Sequence, residues 1–473
     1  MIILGYDHRH NSKLFAHSAA QVYTAYGHRV RVFPKIVPTP FVPSAVQCLG
    51  DGEVVGLAVM VTASHNPRKD NGYKVYGGNG AQIGDKVAKE ILEFIKRERI
   101  NYKKLNTGDF VAEDDQELLE MVMKWYVNNL KSFMNGLPKS LNMPRVVYTA
   151  LHGVGAEYVD KVFEEIFGNQ ALIHVPEQKD PDADFPTVDF PNPEEGRSTL
   201  SLAMKLAEAE SVKYIFANDP DADRFCVAEF TGCADEEWKI FNGNEIAVLL
   251  ADFISVNKEG KCAMLASCVS SRFLKTFCEN RGWIFESTST GFKNLGNRGL
   301  ELKGKEGIRV LLAYEEAIGF QVGDWNFDKD GISSLITFYA LLQNNENCSL
   351  SERLRLIYER EKCWPVQCNG YYFCRPANRI KTILQAIDTE KLKKLTKSFK
   401  NENGVVTVEF DVEGFGEAWL MLRSSGTEPK LKYYSELIGM SEKIGSEAAL
   451  EGAVDELIEL MISPDINNLI KKK

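Results

Sequence analysis

Along this chain, short apolar runs alternate with stretches whose apolar residues recur at helical spacing. The runs read as buried strands and the spaced stretches as amphipathic helices. Ile2 to Tyr6 predicts a first strand, residues 12–27 a helix stopped by Gly27, and Arg29 to Phe33 a second strand. Thr39-Pro40-Phe41-Val42-Pro43 marks the next helix entry. The run Leu57-Ala58-Val59-Met60-Val61 is a strand whose pattern stops abruptly at Thr62-Ala63-Ser64-His65-Asn66-Pro67. Pro67 disfavours helix at Asn66, so this stretch is a loop leaving the C-terminal end of a strand. Val87, Ile91, Leu92 and Ile95 then share one helical face, and the polar stretch 101–117 reads as a surface connection. A helix over about 117–134 leads to Gly136-Leu137-Pro138, a domain boundary by its composition.

The same grammar returns twice. Val146-Val147-Tyr148 is a strand, His152-Gly153-Val154-Gly155 a turn, and Val159, Val162, Phe163 and Ile166 mark a helix. Residues 176–197, rich in proline and acid, read as loop. A helix from Leu200 to Ala209 then leads to the strand Tyr214–Ala217, which ends at Asp219. A third unit begins near Asn242 with a helix through Val248, Leu249 and Phe253, and contains the strand Val310–Ala313. Residues 355–370 read as a linker. The last unit shows strands near 405–412, 418–422 and 431–434, and a helix using Ala453, Leu457 and Leu460. Strands alternating with helices predict an α/β fold with mainly crossover connections. The divisions expected are 1–137, 138–241, 242–358 and 359–473, the last being smaller and mixed.

Composition narrows the class. At 473 residues, 44% hydrophobic and 26% charged, the chain has the make-up of a soluble globular protein with several domains. The start Met1-Ile2-Ile3-Leu4-Gly5-Tyr6-Asp7 reads as a strand rather than a leader, and no apolar run reaches spanning length. A cytoplasmic protein without a membrane or nucleic-acid partner is therefore expected; a net charge of −10 gives no basic field for a polyanion. An anionic small molecule needs only local cations. Ten scattered cysteines without a CxxC pair point to reduced thiols. Seven histidines, all before residue 175, argue against a zinc site built mainly from His and Cys.

Chemistry concentrates at the strand ends, where open α/β sheets bind ligands. Ser64 is placed there as an exposed hydroxyl nucleophile. Asp219-Pro220-Asp221-Ala222-Asp223-Arg224 sets three carboxylates at alternate positions, a donor set that suits Mg²⁺. An EF-hand is excluded because its sixth position is Arg224 rather than Gly and its twelfth is Phe230 rather than Glu. Asp180-Pro181-Asp182-Ala183-Asp184-Phe185 has nearly the same letters but follows no apolar strand and reads as a structural loop. Arg423-Ser424-Ser425-Gly426-Thr427 has the composition of a phosphate cradle: a guanidinium fork, hydroxyls and a glycine that admits close approach. In Tyr314-Glu315-Glu316-Ala317-Ile318-Gly319 the acids read either as acceptors for sugar hydroxyls or as an ion-paired helix start. Thr290-Gly291-Phe292-Lys293 is the weakest signal. A nucleophile, a hard metal, a hydroxyl reader and a phosphate clamp together make the parts for phosphoryl transfer to a sugar phosphate.

The motifs TASHNP (62–67), DPDADR (219–224), YEEAIG (314–319) and RSSGTEPK (423–430) resemble, in order and spacing, those of the α-D-phosphohexomutase superfamily. Asn71-Gly72-Tyr73-Lys74-Val75-Tyr76 and Pro191-Asn192-Pro193-Glu194-Glu195-Gly196 look most like its phosphopentomutase and glucose-1,6-bisphosphate synthase branch. The resemblance implies four domains around a central cleft: three related α/β domains with mixed sheets and an α+β C-terminal domain. It implies that Ser64 carries a phosphoryl group, passes it to the sugar and recovers it from a bisphosphate intermediate. Asp219, Asp221 and Asp223, with Ser64, would hold Mg²⁺. Lys74 would be the acid/base, its pKa depressed, with His65 and Arg224 close to the phosphoryl. Glu315, Gly291, Lys293 and Arg224 would face the sugar; Arg423, Ser425, Gly426 and Thr427 would clamp its other phosphate. Small sugar phosphates, with a sugar bisphosphate as activator, are the partners implied, for a monomer or weak dimer.

Two departures bear on activity. The family normally carries an N-terminal Gly-Thr-x-Gly-x-Arg segment that this sequence does not show, and Ala317 stands where many hexose-specific members have serine. The second tilts the expectation toward pentose phosphates. The readings are thus a pentose and hexose phosphomutase, a bisphosphate synthase using an acyl-phosphate donor, and a catalytically impaired sugar-phosphate binder. A phosphatase of the haloacid-dehalogenase type is disfavoured by the separate serine loop.

Overall fold

Three sheets repeat one plan in the computed structural model, which describes residues 1–50, 52–97, 114–168, 172–233, 237–304, 307–345, 348–392, 395–402, 404–425, 429–439 and 441–472. In the first sheet, Val30–Val32, Ile2–Tyr6 and Leu57–Val61 run parallel, and Tyr73–Gly77 closes the edge antiparallel to Leu57–Val61. In the second, Leu172–His174, Val146–Thr149 and Tyr214–Asn218 are parallel, followed by antiparallel Phe225–Phe230 and Trp238–Phe241. The third sets Ile284–Thr288, Cys262–Ser267 and Arg309–Glu315 parallel, with Gly319–Val322 antiparallel at the edge. The core strands are apolar and sealed on both faces, as parallel sheets require.

This plan explains where the loops singled out in the sequence fall. In each sheet one loop connects the last parallel strand to its antiparallel neighbour: residues 62–72, 219–224 and 316–318. Each loop turns through one non-glycine residue in the left-handed region: Ser64 at φ 52°, Ala222 at 54° and Ile318 at 53°. Such a conformation costs on the order of 1–2 kcal/mol at each position and persists only where surrounding contacts enforce it.

Backbone contacts divide the chain into two compact units, Met1–Ser270 with Gly282–Ser351, and Ser271–Arg281 with Glu352–Lys473. The first unit holds all three sheets. The second is built on a separate antiparallel sheet in which Lys430–Gly439 pairs with Gly416–Ser424, Gly370–Phe373 and Trp364–Gln367. One helix, Ser446–Ile462, buries Leu450, Val454, Leu457 and Ile458 into that unit's core.

Several expectations need correction. The linker over 355–370 is instead occupied by a helix, Leu350–Glu361, and a strand, Trp364–Gln367. Leu350, Leu354 and Ile357 are buried on one helical face, and the many charges between them mask the period. The loop over 176–197 contains a short helix, Pro176–Lys179, and a turn of 3₁₀ helix, Pro193–Glu195. The helix Asp85–Arg97 forms as expected, but Val87, Ile91, Leu92 and Ile95 are all exposed. Of the surface connection 101–117, residues 101–113 lie outside the described residues, and a helix starts at Gln116. Among the described residues no helix is long and apolar enough to cross a membrane.

Candidate active site

The loop that carries Ser64, the candidate nucleophile, is defined by its strand. Leu57–Val61 delivers the chain to Thr62, whose Oγ1 accepts the Ser64 N–H at 2.8 Å. Thr62 N–H in turn donates to the Gly72 carbonyl at 3.1 Å, which pins the two ends of the loop together. Ser64 Oγ donates to Asp219 Oδ2 at 2.8 Å and lies 3.3 Å from His65 Nδ1. Burial, and after it the Arg224 charge, hold His65 well below its ordinary pKa, so the imidazole beside the hydroxyl is neutral.

The acidic loop is sealed rather than solvated. Asp219, Asp221 and Asp223 are each fully buried, and their carboxylate oxygens lie within 4.8 Å of one another. Glycines let other segments close over the loop. Val154 N–H donates to Pro220 O at 2.8 Å, and a Cβ on Gly153 would stand 2.5 Å from that same oxygen. A Cβ on Gly331 would stand 2.6 Å from Asn218 Nδ2 and 2.8 Å from Ala222 O, so the buried helix Gly331–Gln343 starts directly against the loop. Thr39 Oγ1 donates to Asp221 Oδ2 at 2.5 Å.

Buried carboxylates need compensation, and it comes from cations on other segments. Lys74 Nζ donates to Asp221 Oδ2 and to Asp223 Oδ2, both at 2.7 Å. Lys329 Nζ lies 3.3 Å from Asp223 Oδ2. Arg224 N–H donates to Asp219 Oδ1 at 2.9 Å, and its guanidinium pairs with Glu194 at 3.1 Å. Burial alone would lower Lys74, but Asp221 and Asp223 outweigh it and raise the ammonium above its ordinary pKa. The depressed lysine expected from the sequence presupposes Mg²⁺ on these carboxylates; where they are free to pair with Lys74, its protonated form is favoured. Burial and the neighbouring Asp221 and Asp223 push Asp219 up, whereas for Asp221 the burial penalty is outweighed by Lys74 and by donors that include Thr39, which hold it low.

A hard divalent cation fits this set. Asp221 Oδ1 and Asp223 Oδ1 are buried with no hydrogen-bond partner, an expensive arrangement that a cation would satisfy. Three oxygens at alternate loop positions, with a hydroxyl beside Asp219, leave the rest of an octahedral shell to water or phosphate. The similar loop 180–185 forms no such group. Asp184 is exposed and pairs with His10 at 2.9 Å and Arg68 at 3.6 Å.

The remaining candidates divide. Glu315 Oε1 accepts the Gly291 N–H at 2.6 Å, so the two loops expected to face the sugar are joined. Arg224 bridges to Gly319 by backbone pairing, and Phe225 N–H donates to Ile318 O at 3.0 Å, which joins the acidic and YEEAIG loops. Lys293 is engaged by the Asp85 carboxylate. In the second unit, Arg423 Nη2 donates to Tyr434 OH at 3.1 Å and Ser425 N–H donates to Lys430 O at 2.8 Å. Gly426 and Thr427 lie outside the described residues.

Four residues that contact these loops are not among the site residues read from the sequence: Thr39, Glu194, Lys329 and Arg9, whose guanidinium donates to carbonyls of the Ser64 loop. For Lys329 a signal existed, since Asp328-Lys329-Asp330 immediately precedes a wholly buried helix, and Asp330 caps that helix by accepting the N–H groups of Ile332 and Ser333. Thr39 and Glu194 lie in stretches the sequence marks for other reasons, and their partners, like those of Arg9, are far away in sequence.

With this geometry in hand, the comparisons with known proteins are informative. The chain matches three successive domain families: "Phosphoglucomutase/phosphomannomutase, alpha/beta/alpha domain I" over residues 1–101, domain II over 124–232 and domain III over 242–360. It is 36% identical to a mouse (Mus musculus) protein named glucose 1,6-bisphosphate synthase, over 99% of this chain and 82% of that protein. It is 33% identical to a human (Homo sapiens) phosphopentomutase, over 100% of this chain and 83% of that protein. Its fold is similar to the crystal structure of a phosphoglucomutase/phosphomannomutase family protein from Burkholderia thailandensis, with a TM-score of 0.71 and 19% identity over 97% of this chain and 88% of that one.

Proposed function

We propose, for this chain, which belongs to the phosphoglucomutase/phosphomannomutase family, that it is a Mg²⁺-dependent phosphomutase of pentose and hexose phosphates. The phosphoryl group would move between the 1-position and the 5- or 6-position by way of Ser64 and a sugar bisphosphate, which also primes the enzyme. The observation that carries this reading is the 2.8 Å contact between Ser64 Oγ and Asp219 Oδ2, which brings a hydroxyl to the edge of the buried acid triad. Mg²⁺, held by Ser64, Asp219, Asp221 and Asp223, would neutralise charge on the transferring group.

The chain's own residues supply the rest. The P–Oγ bond of phosphorylated Ser64 breaks as a sugar hydroxyl oxygen bonds to phosphorus, and the return transfer reverses this at the other end of the sugar. Lys74, which reaches Asp221 and Asp223, is assigned the proton exchange: with those carboxylates engaged by Mg²⁺, its amine would take the proton of the attacking sugar hydroxyl and its ammonium would return that proton to the departing Ser64 Oγ. His65 and Arg224 orient the phosphoryl, and Glu315, Gly291 and Lys293 read the sugar. Lys293 must leave Asp85 to do so. Arg423, Ser425, Gly426 and Thr427 are assigned to the distal phosphate. The four divisions 1–137, 138–241, 242–358 and 359–473, a cytoplasmic setting and a monomer or weak dimer complete the reading.

A second reading is glucose-1,6-bisphosphate synthesis from an acyl-phosphate donor, favoured by the 36% identity to a protein of that name. Rates with ribose 1-phosphate, with glucose 1-phosphate, and with 1,3-bisphosphoglycerate as donor separate the two. Mutase turnover primed by traces of bisphosphate supports the first. Donor-dependent bisphosphate formation without mutase turnover supports the second, and inactivity with all three points to an impaired binder.

A further inference from the structure

Arg9 lies 55 residues before the nucleophile in sequence, yet its side chain is buried against the nucleophile loop. Nη2 donates to the Ser64 carbonyl and to the Asn66 carbonyl, the latter at 2.6 Å. Nη1 donates to the Pro67 carbonyl at 3.0 Å and the Asp70 carbonyl at 3.4 Å. Four main-chain oxygens of a single loop thus converge on one guanidinium. The arginine is itself fixed from behind. Asp7 Oδ2 lies 3.4 Å from Nε, and the other Asp7 oxygen accepts the Arg9 N–H at 3.0 Å and Ser12 Oγ at 2.6 Å. The guanidinium also stacks 5.0 Å from the ring centre of Phe185.

The loop needs such a device. It leaves its strand with carbonyls that no neighbouring strand can satisfy, and Ser64 occupies the left-handed region. A guanidinium offers five N–H groups in a rigid fork; a lysine offers three donors from a single point. Phosphorylated Ser64 would be a dianion beside three carboxylates, and repulsion would swing an unanchored loop away from them.

We infer that Arg9 is a positioning residue: by gripping the carbonyls of Ser64, Asn66, Pro67 and Asp70 it holds the Ser64 hydroxyl at the acid triad for phosphoryl exchange. This rests on the reading of Ser64 as the phosphoryl carrier. Arg9 touches neither substrate nor phosphorus in this role; it sets the place of the oxygen that does.

The test is the rate of phosphorylation by glucose 1,6-bisphosphate with Mg²⁺, followed by quenched intact mass, for the wild type, Ser64→Ala, Arg9→Lys and Arg9→Ala. Since misplacing a reacting group by about 1 Å can cost about 100-fold, Arg9→Ala should slow the step by roughly that factor and Arg9→Lys by roughly tenfold. The half-saturating bisphosphate concentration should stay within about threefold, because the loss is in alignment rather than binding. Guanidinium ion at low millimolar concentration should restore Arg9→Ala at least partly, which no general loss of stability would permit. If Arg9→Ala fails to fold, Arg9→Lys, which keeps the charge against Asp7, decides alone. Wild-type speed in Arg9→Lys, or a loss confined to half-saturation, overturns the inference while leaving an inert Ser64→Ala to uphold the functional reading. Phosphorylation of Ser64→Ala at the wild-type rate overturns the functional reading itself.

Discussion

Two hexapeptides in this protein, Asp180–Phe185 and Asp219–Arg224, share their first five letters and have opposite fates. The second follows the strand Tyr214–Asn218, is roofed by segments that only glycine lets approach, and buries all three carboxylates among Lys74, Lys329 and Arg224. The first follows the short helix Pro176–Lys179, and its Asp184 remains in solvent beside His10 and Arg68. Their sixth residues differ in kind. Arg224 completes the charge balance of the triad, whereas Phe185 is buried and lies against the Arg9 guanidinium and the His8 ring. Chemistry thus comes from the desolvated setting, where a carboxylate is worth far more to a cation than in water. The letters alone do not confer it, though Phe185 of the other copy packs against Arg9, whose guanidinium donates to carbonyls of the Ser64 loop.

The contrast can be broken at several points. Asp221→Asn should lower turnover by about 10³-fold, the loss expected when a group stabilising transition-state charge is removed, while Asp182→Asn stays within about twofold in the same coupled mutase assay. Chelation should abolish the activity of the wild type and of Asp182→Asn alike, and added Mg²⁺ should restore both. Gly153→Ala pushes a methyl group into the Pro220 backbone and should cost about 2 kcal/mol in urea unfolding, with turnover falling as the loop shifts. Phe185→Leu keeps most of the buried volume and should cost about 1 kcal/mol by the same measurement. Asp184→Asn should have the smallest effect, a slight lowering of melting temperature at neutral pH. The hydrogen bond from His10, and the nearby His10 and Arg68 charges, hold Asp184 below the ordinary carboxylate range, so its contribution is present above that range and fades as pH falls. Any effect of this variant should therefore be gone at low pH and present at neutral pH, and be weakened by salt.

The sequence made the strand-end loops legible because each follows a run too apolar to be anything but buried. It also separated the two acidic hexapeptides, since only one follows such a run. It did not reveal the state of Lys74. That depends on Asp221 and Asp223, which are 147 and 149 residues away and meet it only through the packing of two sheets. Arg9 was hidden for the same reason, its partners being backbone carbonyls that have no letter in the sequence. The helix Leu350–Glu361 was missed because charges crowd its exposed face. The strand Tyr73–Gly77, which carries Lys74, shows only one buried residue and so lacks an apolar run.

The most direct test of the account is to label the protein with isotopic phosphoryl from glucose 1,6-bisphosphate in Mg²⁺, locate the label by peptide mapping, and chase it with ribose 1-phosphate. The account predicts label on the Ser64 peptide alone, transferred to the sugar in the chase and absent from Ser64→Ala. Label on another residue, or label on Ser64 that no sugar phosphate removes, would contradict it.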